Sequence, residues 1–445
     1  MTNFMDAYRQ RTPLSGRLFE RAKEVMPGGV CHTPHYFSPY PLYIKGAQGS
    51  KLWDVDGNEY VDLWLGNFTH ILGHRPKIIC EAVEEQLKQG IHWGLAFEKQ
   101  VEWAELICKL LPCAEQVRFC CSGTEATMYA VRLARAHTGK NIILKMAGGW
   151  HGANPDLMVD IKWPYDQPEG LGLWPERQGH TKTLFFNDVE RSREIIRKNQ
   201  KDLAAVILEP VVGEGGFVPA SSDYLKMLRT ETERLGALLI FDEVITGFRL
   251  SLNGAQGRFG MTPDLTTLGK ITGGGLPVGA IAGRKEILEK TSPARKVKKQ
   301  EKILIGGGTF SSHPLTAAAG VTMLRYLRDN ADELYPLLEA KGQRIREGLQ
   351  KVFDREGVKA AVTGVGSVFQ THFPFKGKEG TVLNSPQAIN EFTDVEKREV
   401  EYRIRMLTKG VHVIHGGGAL SITHSDEDID RVIEAAGEVA REMTR

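Results

Sequence analysis

Five short stretches carry residue types that could do chemistry together. Lys270 stands between Thr266-Thr267-Leu268-Gly269 and the cluster Gly273-Gly274-Gly275, and glycines at that density allow positive φ and close backbone approach, as in a loop or ligand-facing turn. A lysine presented there is a candidate nucleophile, although a solvated surface lysine fits the same local pattern. Asp242 closes the apolar run Leu238 to Phe241 and is followed by Glu243 and Val244. A carboxylate at the carboxyl end of a buried strand lies where α/β sheets bind ligands, and it needs a cation: a protonated ring nitrogen, a metal or a structural arginine. No HxxxH or paired-carboxylate spacing reinforces the metal. Ser122-Gly123-Thr124 falls where a strand runs into a helix, which suits a phosphate cradle or an ordinary capping box closed by Glu125. Trp150-His151-Gly152 follows Ala147-Gly148-Gly149, placing an aromatic ring in a glycine-rich loop, either to stack on a flat ligand or to pack into the core. Glu209 and Glu214 lie in the loop after Val206-Ile207-Leu208, as site acids or as solvated ones.

These residues need strand ends and helix starts to hold them. Strand patterns at Gln116 to Cys120, Asn141 to Lys145, Leu203 to Leu208, Leu238 to Phe241 and Ala280 to Ala282 alternate with helical patterns at Ser122 to His137, Val189 to Asn199, Ser222 to Leu235 and Pro314 to Leu327. That alternation predicts an α/β fold with a mainly parallel sheet covered by helices. Ahead of it the sequence predicts a helix over Thr12 to Met26, stopped by Pro27-Gly28-Gly29, and short antiparallel strands around Tyr43 to Ala47, Lys51 to Val55 and Tyr60 to Trp64. Helices at Pro76 to Gln89 and Glu98 to Leu110 lead into the sheet. After it come a long helix at Ala331 to Arg355, strands within Val358 to Phe375 and Val411 to His424, and a last helix at Glu427 to Met443. The expected organisation is an N-terminal segment over 1–75, a large domain over 76–328 and a C-terminal small domain over 329–445, with both termini contributing to the small domain. Ile161 to Thr181, rich in Pro, Gly and Trp, is expected to be an irregular loop over the site.

Composition narrows the function. The 445 residues are 41% hydrophobic, enough for a sizeable core, and the formal net charge of +2 lacks the basic excess of a nucleic-acid binder. No apolar run approaches a membrane span and Met1 to Arg11 is too polar for a signal peptide, so a cytoplasmic location is expected. Six irregularly spaced cysteines read as buried thiols rather than a disulfide framework.

Taken together, a phosphate cradle, a stacking aromatic, a strand-end acid, a strand-end aspartate and a lysine among glycines make the set that pyridoxal 5'-phosphate (PLP) requires. The stretches CSGTEATMYAVRLAR, WHG, LEPVVGEGG, IFDEVITGFR, PDLTTLGKITGGGLPVGA and GGTFSSHPLTAAAG resemble the successive motifs of the class III, fold type I, PLP-dependent aminotransferases. The resemblance implies that Lys270 is the catalytic lysine that binds PLP covalently, that Asp242 pairs with the ring nitrogen, and that Val244 and Trp150 pack on the two ring faces. It implies that Ser122, Gly123 and Thr124 hold the phosphate with Thr309 of a neighbouring subunit, in a homodimer with active sites at the interface. Glu209 completes the cofactor-binding set.

Within the class, PGGV, SGTEATM, NGAQG and GGGLPVGA resemble glutamate-1-semialdehyde 2,1-aminomutase and its aminotransferase relatives. The departures are Cys121 before SGTEA, the arginine-free segment Cys31 to Tyr36, and Glu214 in EPVVGEGG, which is more like the ω-amino-acid aminotransferases. The expected function is amino-group transfer from an amino acid or amine, with intramolecular transfer by an aminomutase, or racemase or epimerase chemistry, as alternatives. His32, Glu214 and His415 are candidate substrate-binding residues, with His35 and Arg249 further positional candidates. No metal and no nucleic acid is expected.

Overall fold

The computed structural model describes residues 4–165, 167 and 169–444, with backbone alone at 177 and 178. Asp166 and Pro168, within the expected loop over the site, lie outside the described residues, as do residues 1–3 of the expected N-terminal segment. The chain divides into two compact units: residues 77–336 with 382–391, and residues 1–76, 337–381 and 392–445.

The larger unit is built on seven strands. Their spatial order is Gln116–Cys120, Gly279–Gly283, Leu265–Gly269, Leu238–Asp242, Leu203–Leu208, Ile142–Met146 and Thr181–Leu184. Gly279–Gly283 runs antiparallel to both neighbours, and the other described pairings are parallel. Side-chain alternation sorts this sheet into two apolar faces. Ile143, Ala205, Ile207, Leu238, Ile240, Leu265 and Ile281 pack with Ala126, Ala130 and Leu133 of the helix Gly123–Thr138. Leu144, Met146, Val206, Leu208, Leu239 and Phe241 pack on the opposite face with Tyr224, Leu225 and Leu228 of the helix Ser222–Leu235. A β-sheet covered on both faces explains why its strands read as nearly continuous apolar runs.

Polar residues interrupt those runs near the strand ends. Lys145 lies on the Ile143 face, fully buried, as do Asp242 and Thr267 by alternation from Ile240 and Leu265. The register pairs Asp242 with Thr267 and Phe241 with Leu208, so Glu209, one residue on, reaches the same strand-end level. Glu243 alternates to the other face and is wholly structural: it accepts bonds from Ala255 N at 2.5 Å, Gln256 Nε2 at 3.0 Å and Thr246 Oγ1 at 3.1 Å.

The smaller unit holds a sheet in which Ile44–Gln48, Lys51–Asp54 and Glu59–Asp62 are antiparallel and Val411–His412 adds in parallel beside Glu59–Asp62. A second sheet joins Ala361–Val365, Val368–His372 and Gly417–Ala419. Their core gathers Leu349, Phe353, Phe369, Tyr402, Val432 and Val439. The last helix, Asp426–Met443, starts at a complete capping box between Ser425 and Asp428. The N-terminal helix expected over Thr12 to Met26 forms as Pro13–Lys23, and a further helix, Phe4–Arg11, precedes it; Pro13 fits a first turn but cannot continue the helix before it.

Candidate active site

Lys270 leaves the strand Leu265–Gly269 with φ of 48°, a left-handed conformation that is costly for a residue with a Cβ. Two contacts hold it there. The Thr272 carbonyl accepts a bond at 3.2 Å from Trp103 Nε1, whose ring stacks on Phe119 at 4.2 Å. Gly274, at φ 62°, lies so close to the helix Pro314–Asp329 that a Cβ there would stand 2.6 Å from Ala319 O. The glycines after Lys270 therefore serve packing rather than a ligand-facing turn: Gly273 and Gly274 are buried, and the Gly273 Cα faces Val278. Among the described residues, no hydrogen bond or ion pair occupies the Lys270 ammonium. Burial lowers its pKa below the ordinary lysine value, opposed by the charges of Asp242, Glu209 and Glu214.

Asp242 is buried to 4% exposure. Its Oδ1 accepts bonds from Thr267 Oγ1 at 3.0 Å and Val244 N at 3.1 Å, and its Oδ2 accepts one from His151 Nδ1 at 2.7 Å. A carboxylate offers about four acceptor directions, so one remains on Oδ2. His151 is the partner that the motif pattern undervalued. Its imidazole is fully enclosed, burial lowers its pKa against the pull of Asp242, and Nε2 has no hydrogen-bond partner.

The glycine-rich loop that carries Trp150 and His151 is pinned from beneath. Lys145 Nζ donates to Gly149 O at 3.0 Å and Val159 O at 2.7 Å, and burial brings its pKa down to about 8. Glu209 binds the loop from the neighbouring strand, accepting from Trp150 N at 2.9 Å and from Gly213 N at 3.1 Å. Burial first, then the charge of Asp242, pushes the Glu209 carboxyl up to about 8. The Trp150 ring stays 38% exposed, so it is not a core residue.

Ser122 caps the helix Gly123–Thr138, accepting from Glu125 N at 3.2 Å. The capping box is incomplete, because the Glu125 carboxylate binds Cys121 N at 2.7 Å and not the Ser122 amide. A Cβ on Gly123 would meet Val244 at 3.0 Å, and one on Gly152 would stand 2.2 Å from Thr124 Oγ1. The cradle, Val244 and the Trp150 loop are thus in contact, and small residues are needed at both junctions.

These features fit PLP. The helix start offers amide donors for a phosphate, Asp242 keeps one acceptor for a protonated ring nitrogen, and the nearby lysine ammonium has no partner among the described residues. Glu214 is exposed and within electrostatic reach of Lys270. Thr309 is also exposed, lining a surface pocket with His92, Phe97 and Ser312 that includes none of the other residues assigned to the cofactor. Arg249 is buried with its pKa lowered to about 10, beside Tyr335. His32 and His415 belong to the smaller unit, where His32 meets the His35 ring at 4.9 Å and His415 Nδ1 donates to Glu399 at 3.1 Å. No cluster among the described residues has the make-up of a metal site, and no described helix is long and apolar enough to cross a membrane.

Comparison with known proteins shows the family. Residues 34–435 match the family described as Aminotransferase class-III. The glutamate-1-semialdehyde 2,1-aminomutase of Methanosarcina acetivorans is 39% identical over 428 residues, covering 95% of this chain and 97% of its own. Among solved structures, an ω-transaminase from Sphaerobacter thermophilus superposes with a TM-score of 0.90 at 32% identity, covering 99% of this chain and 100% of its own. A transaminase with PLP bound superposes with a TM-score of 0.87 at 31% identity, covering 98% and 99%.

Proposed function

The chain belongs to the class III aminotransferase family of PLP-dependent, fold type I enzymes, and on that premise we propose that it transfers an amino group from a small amino acid or amine, with Lys270 as the catalytic residue. The observation that carries this reading is the unpartnered Lys270 ammonium within the field of Asp242 and Glu209. When bound, PLP supplies an electron sink and an aldehyde carbon that can be exchanged between a lysine and a substrate amine.

The chain's own residues do the rest. Desolvation favours the neutral Lys270 amine, which is the form able to attack a carbon and afterwards to take and return a proton at Nζ. Asp242, oriented by His151 and Thr267, holds a positive charge on the ring nitrogen. Trp150 and Val244 confine the ring from its two faces, while Ser122, Gly123 and Thr124 bind the phosphate. Glu209 and Lys145 fix the Trp150 loop. We assign Thr309 to the phosphate of a neighbouring subunit within a cytoplasmic homodimer, and Glu214, His32 and His415 to the substrate side.

The yellow band of lysine-bound PLP tests the lysine assignment: it is present in the purified enzyme and absent from Lys270→Ala, and its persistence in that variant refutes the role. Single amino donors, mixed one at a time with the PLP form, should convert the cofactor to its amino form and release a keto product. A second reading, glutamate-1-semialdehyde aminomutase, is favoured by the 39% identity over 95% of the chain. Turnover of glutamate-1-semialdehyde to 5-aminolevulinate, without accumulation of a free keto product, would establish it in place of the first.

A further inference from the structure

Residues 382–391 belong to the larger unit, although the chain on either side of them belongs to the smaller. Two contacts anchor this segment. Ile389, 2% exposed, joins the apolar core that holds Met146, Leu208 and Val212, and Asn187 Nδ2 donates to Asn384 O at 2.8 Å and to Pro219 O at 3.1 Å. Pro386, buried at the start of the helix Pro386–Phe392, is thereby held against two loops of the candidate active site. A Cβ added to Gly148 would stand 2.4 Å from Pro386 Cβ, and one added to Gly215 would stand 2.6 Å from Pro386 Cγ. Both distances are well inside van der Waals contact, so the proline ring lies directly on both glycine backbones.

Each glycine stands beside a site residue. Gly148 is two residues before Trp150, and Gly215 directly follows Glu214 in the turn between the short strands Val211–Val212 and Val218–Pro219. The Gly215 backbone is not left-handed, so close packing against Pro386 and Val212 is what excludes a side chain there. The same two loops are joined a second time by Glu209, which accepts from Trp150 N at 2.9 Å and from Gly213 N at 3.1 Å. One carboxylate leaves each loop free to pivot about its bonded amide. A rigid ring wedged between the two backbones, two residues away from each of those amides, removes that freedom.

We propose that Pro386 is a positioning residue, a wedge that sets the Trp150 loop and the Glu214 turn at a fixed spacing and so aligns the cofactor face with the substrate side. The inference rests on the amino-transfer reading, in which Trp150 confines the cofactor ring and Glu214 faces the substrate. The two contacts are separable within the one side chain. Pro386 Cβ bears on Gly148 more closely than Cγ does, at 2.4 Å against 3.1 Å, and Cγ bears on Gly215 more closely than Cβ, at 2.6 Å against 3.0 Å. Cβ therefore supports the cofactor loop, and Cγ the Glu214 turn.

Hydrogen exchange of the full chain without cofactor reads the wedge apart from any chemistry. Pro386→Gly, which removes the wedge, should speed exchange at least about tenfold in both 147–152 and 213–216. Pro386→Ala, which keeps Cβ, should do so in 213–216 alone. With PLP added, Pro386→Gly should raise the dissociation constant, read by cofactor fluorescence, by about tenfold and lower the induced circular dichroism of the yellow band, while Pro386→Ala restores both to the values of the unsubstituted protein. Unchanged exchange in Pro386→Gly, acceleration spread evenly over the larger unit, an unchanged dissociation constant in Pro386→Gly, or the same pattern in both variants would each overturn the proposal. Should Pro386→Gly fail to fold, Pro386→Ala decides alone: acceleration confined to 213–216 supports the wedge, and its absence there overturns it. Failure of the amino-transfer reading shows elsewhere, as a yellow band that persists in Lys270→Ala, and leaves the exchange result standing.

Discussion

Asp62 in the smaller unit and Asp242 in the larger are both buried carboxylates bonded to an imidazole at 2.7 Å, yet they have been finished differently. Asp62 has a closed set of partners, two histidines and two backbone amides, and the bonds and charges of His412 and His74 hold its pKa below the usual carboxylate range despite burial. The Asp242 cluster is open. Its histidine has an unpartnered Nε2, its neighbour Glu209 is forced toward the neutral form, and the lysine in its field has no bonded partner among the described residues. Buried polar groups are normally satisfied. A closed set therefore marks structure, and an open set marks a place where a ligand supplies what the chain withholds.

The largest effect expected from breaking this contrast is at Lys270. Lys270→Ala should lower amino transfer by about 10³-fold or more, while thermal unfolding of the cofactor-free protein stays unchanged or rises, because a desolvated cation without an ion pair is removed. A fall in melting temperature on the scale of a core mutation would make Lys270 structural. Next comes Asp62→Asn, which leaves two imidazoles without their shared charge and should cost about 3 kcal/mol in a denaturant melt. Asp242→Asn should cost the cofactor-free protein less, since it relieves Glu209, but should weaken PLP binding where Asp62→Asn has no direct effect.

The pH dependence of stability sharpens the same comparison. Glu209 has its pKa raised to about 8 in the folded protein from an unfolded value of about 4.3. Between those values the folded state holds the extra proton. The contribution of Glu209 to stability is thus fully present below the unfolded pKa and is lost as pH rises through about 8, with a slope of at most about 1.4 kcal/mol per pH unit. Glu209→Gln should flatten that slope in chemical melts of the cofactor-free protein. Asp62 has the opposite sign: its depressed pKa gives stability that is present at neutral pH and lost as pH falls below the unfolded carboxylate range.

The smallest effects expected are at two helix caps. Ser425→Ala and Ser122→Ala should each cost about 1 kcal/mol, since each hydroxyl accepts one amide bond at 3.2 Å. Only Ser122→Ala should also raise the dissociation constant for PLP, measured by cofactor fluorescence. Equal cofactor affinity in the two variants would return Ser122 to a purely capping role.

Much of this was legible along the chain because local rules governed it. Glu98–Leu110, Gln116–Cys120, Leu203–Leu208, Ser222–Leu235 and Ala331–Arg355 form over the residues whose patterns predict them. The strand Thr181–Leu184 was not legible, since TKTL at the end of a Pro- and Gly-rich stretch has no clear alternation, and only pairing with Ile142–Met146 makes it a strand. Lys145 carried a signal that could have been used: a lysine inside the apolar run Ile142-Ile143-Leu144 is anomalous unless its ammonium has partners. The partners, Gly149 O and Val159 O, lie beyond the strand and appear only once the loop folds back.

The sequence by itself determined the chemistry, because a nucleophile, a strand-end acid, a helix start and a flat aromatic are specified by residue type and by position within single elements. The tertiary structure decided how each group is partnered. Strand alternation and register sent Asp242 to the level of Glu209 and Thr267 while turning Glu243 away to a structural set. Folding likewise gave Asp62 four donors and left the Lys270 ammonium with no hydrogen bond or ion pair among the described residues. Whether a buried charge is satisfied depends on residues distant in the chain and adjacent in space, and that is the property separating a structural ion from one that waits for a ligand.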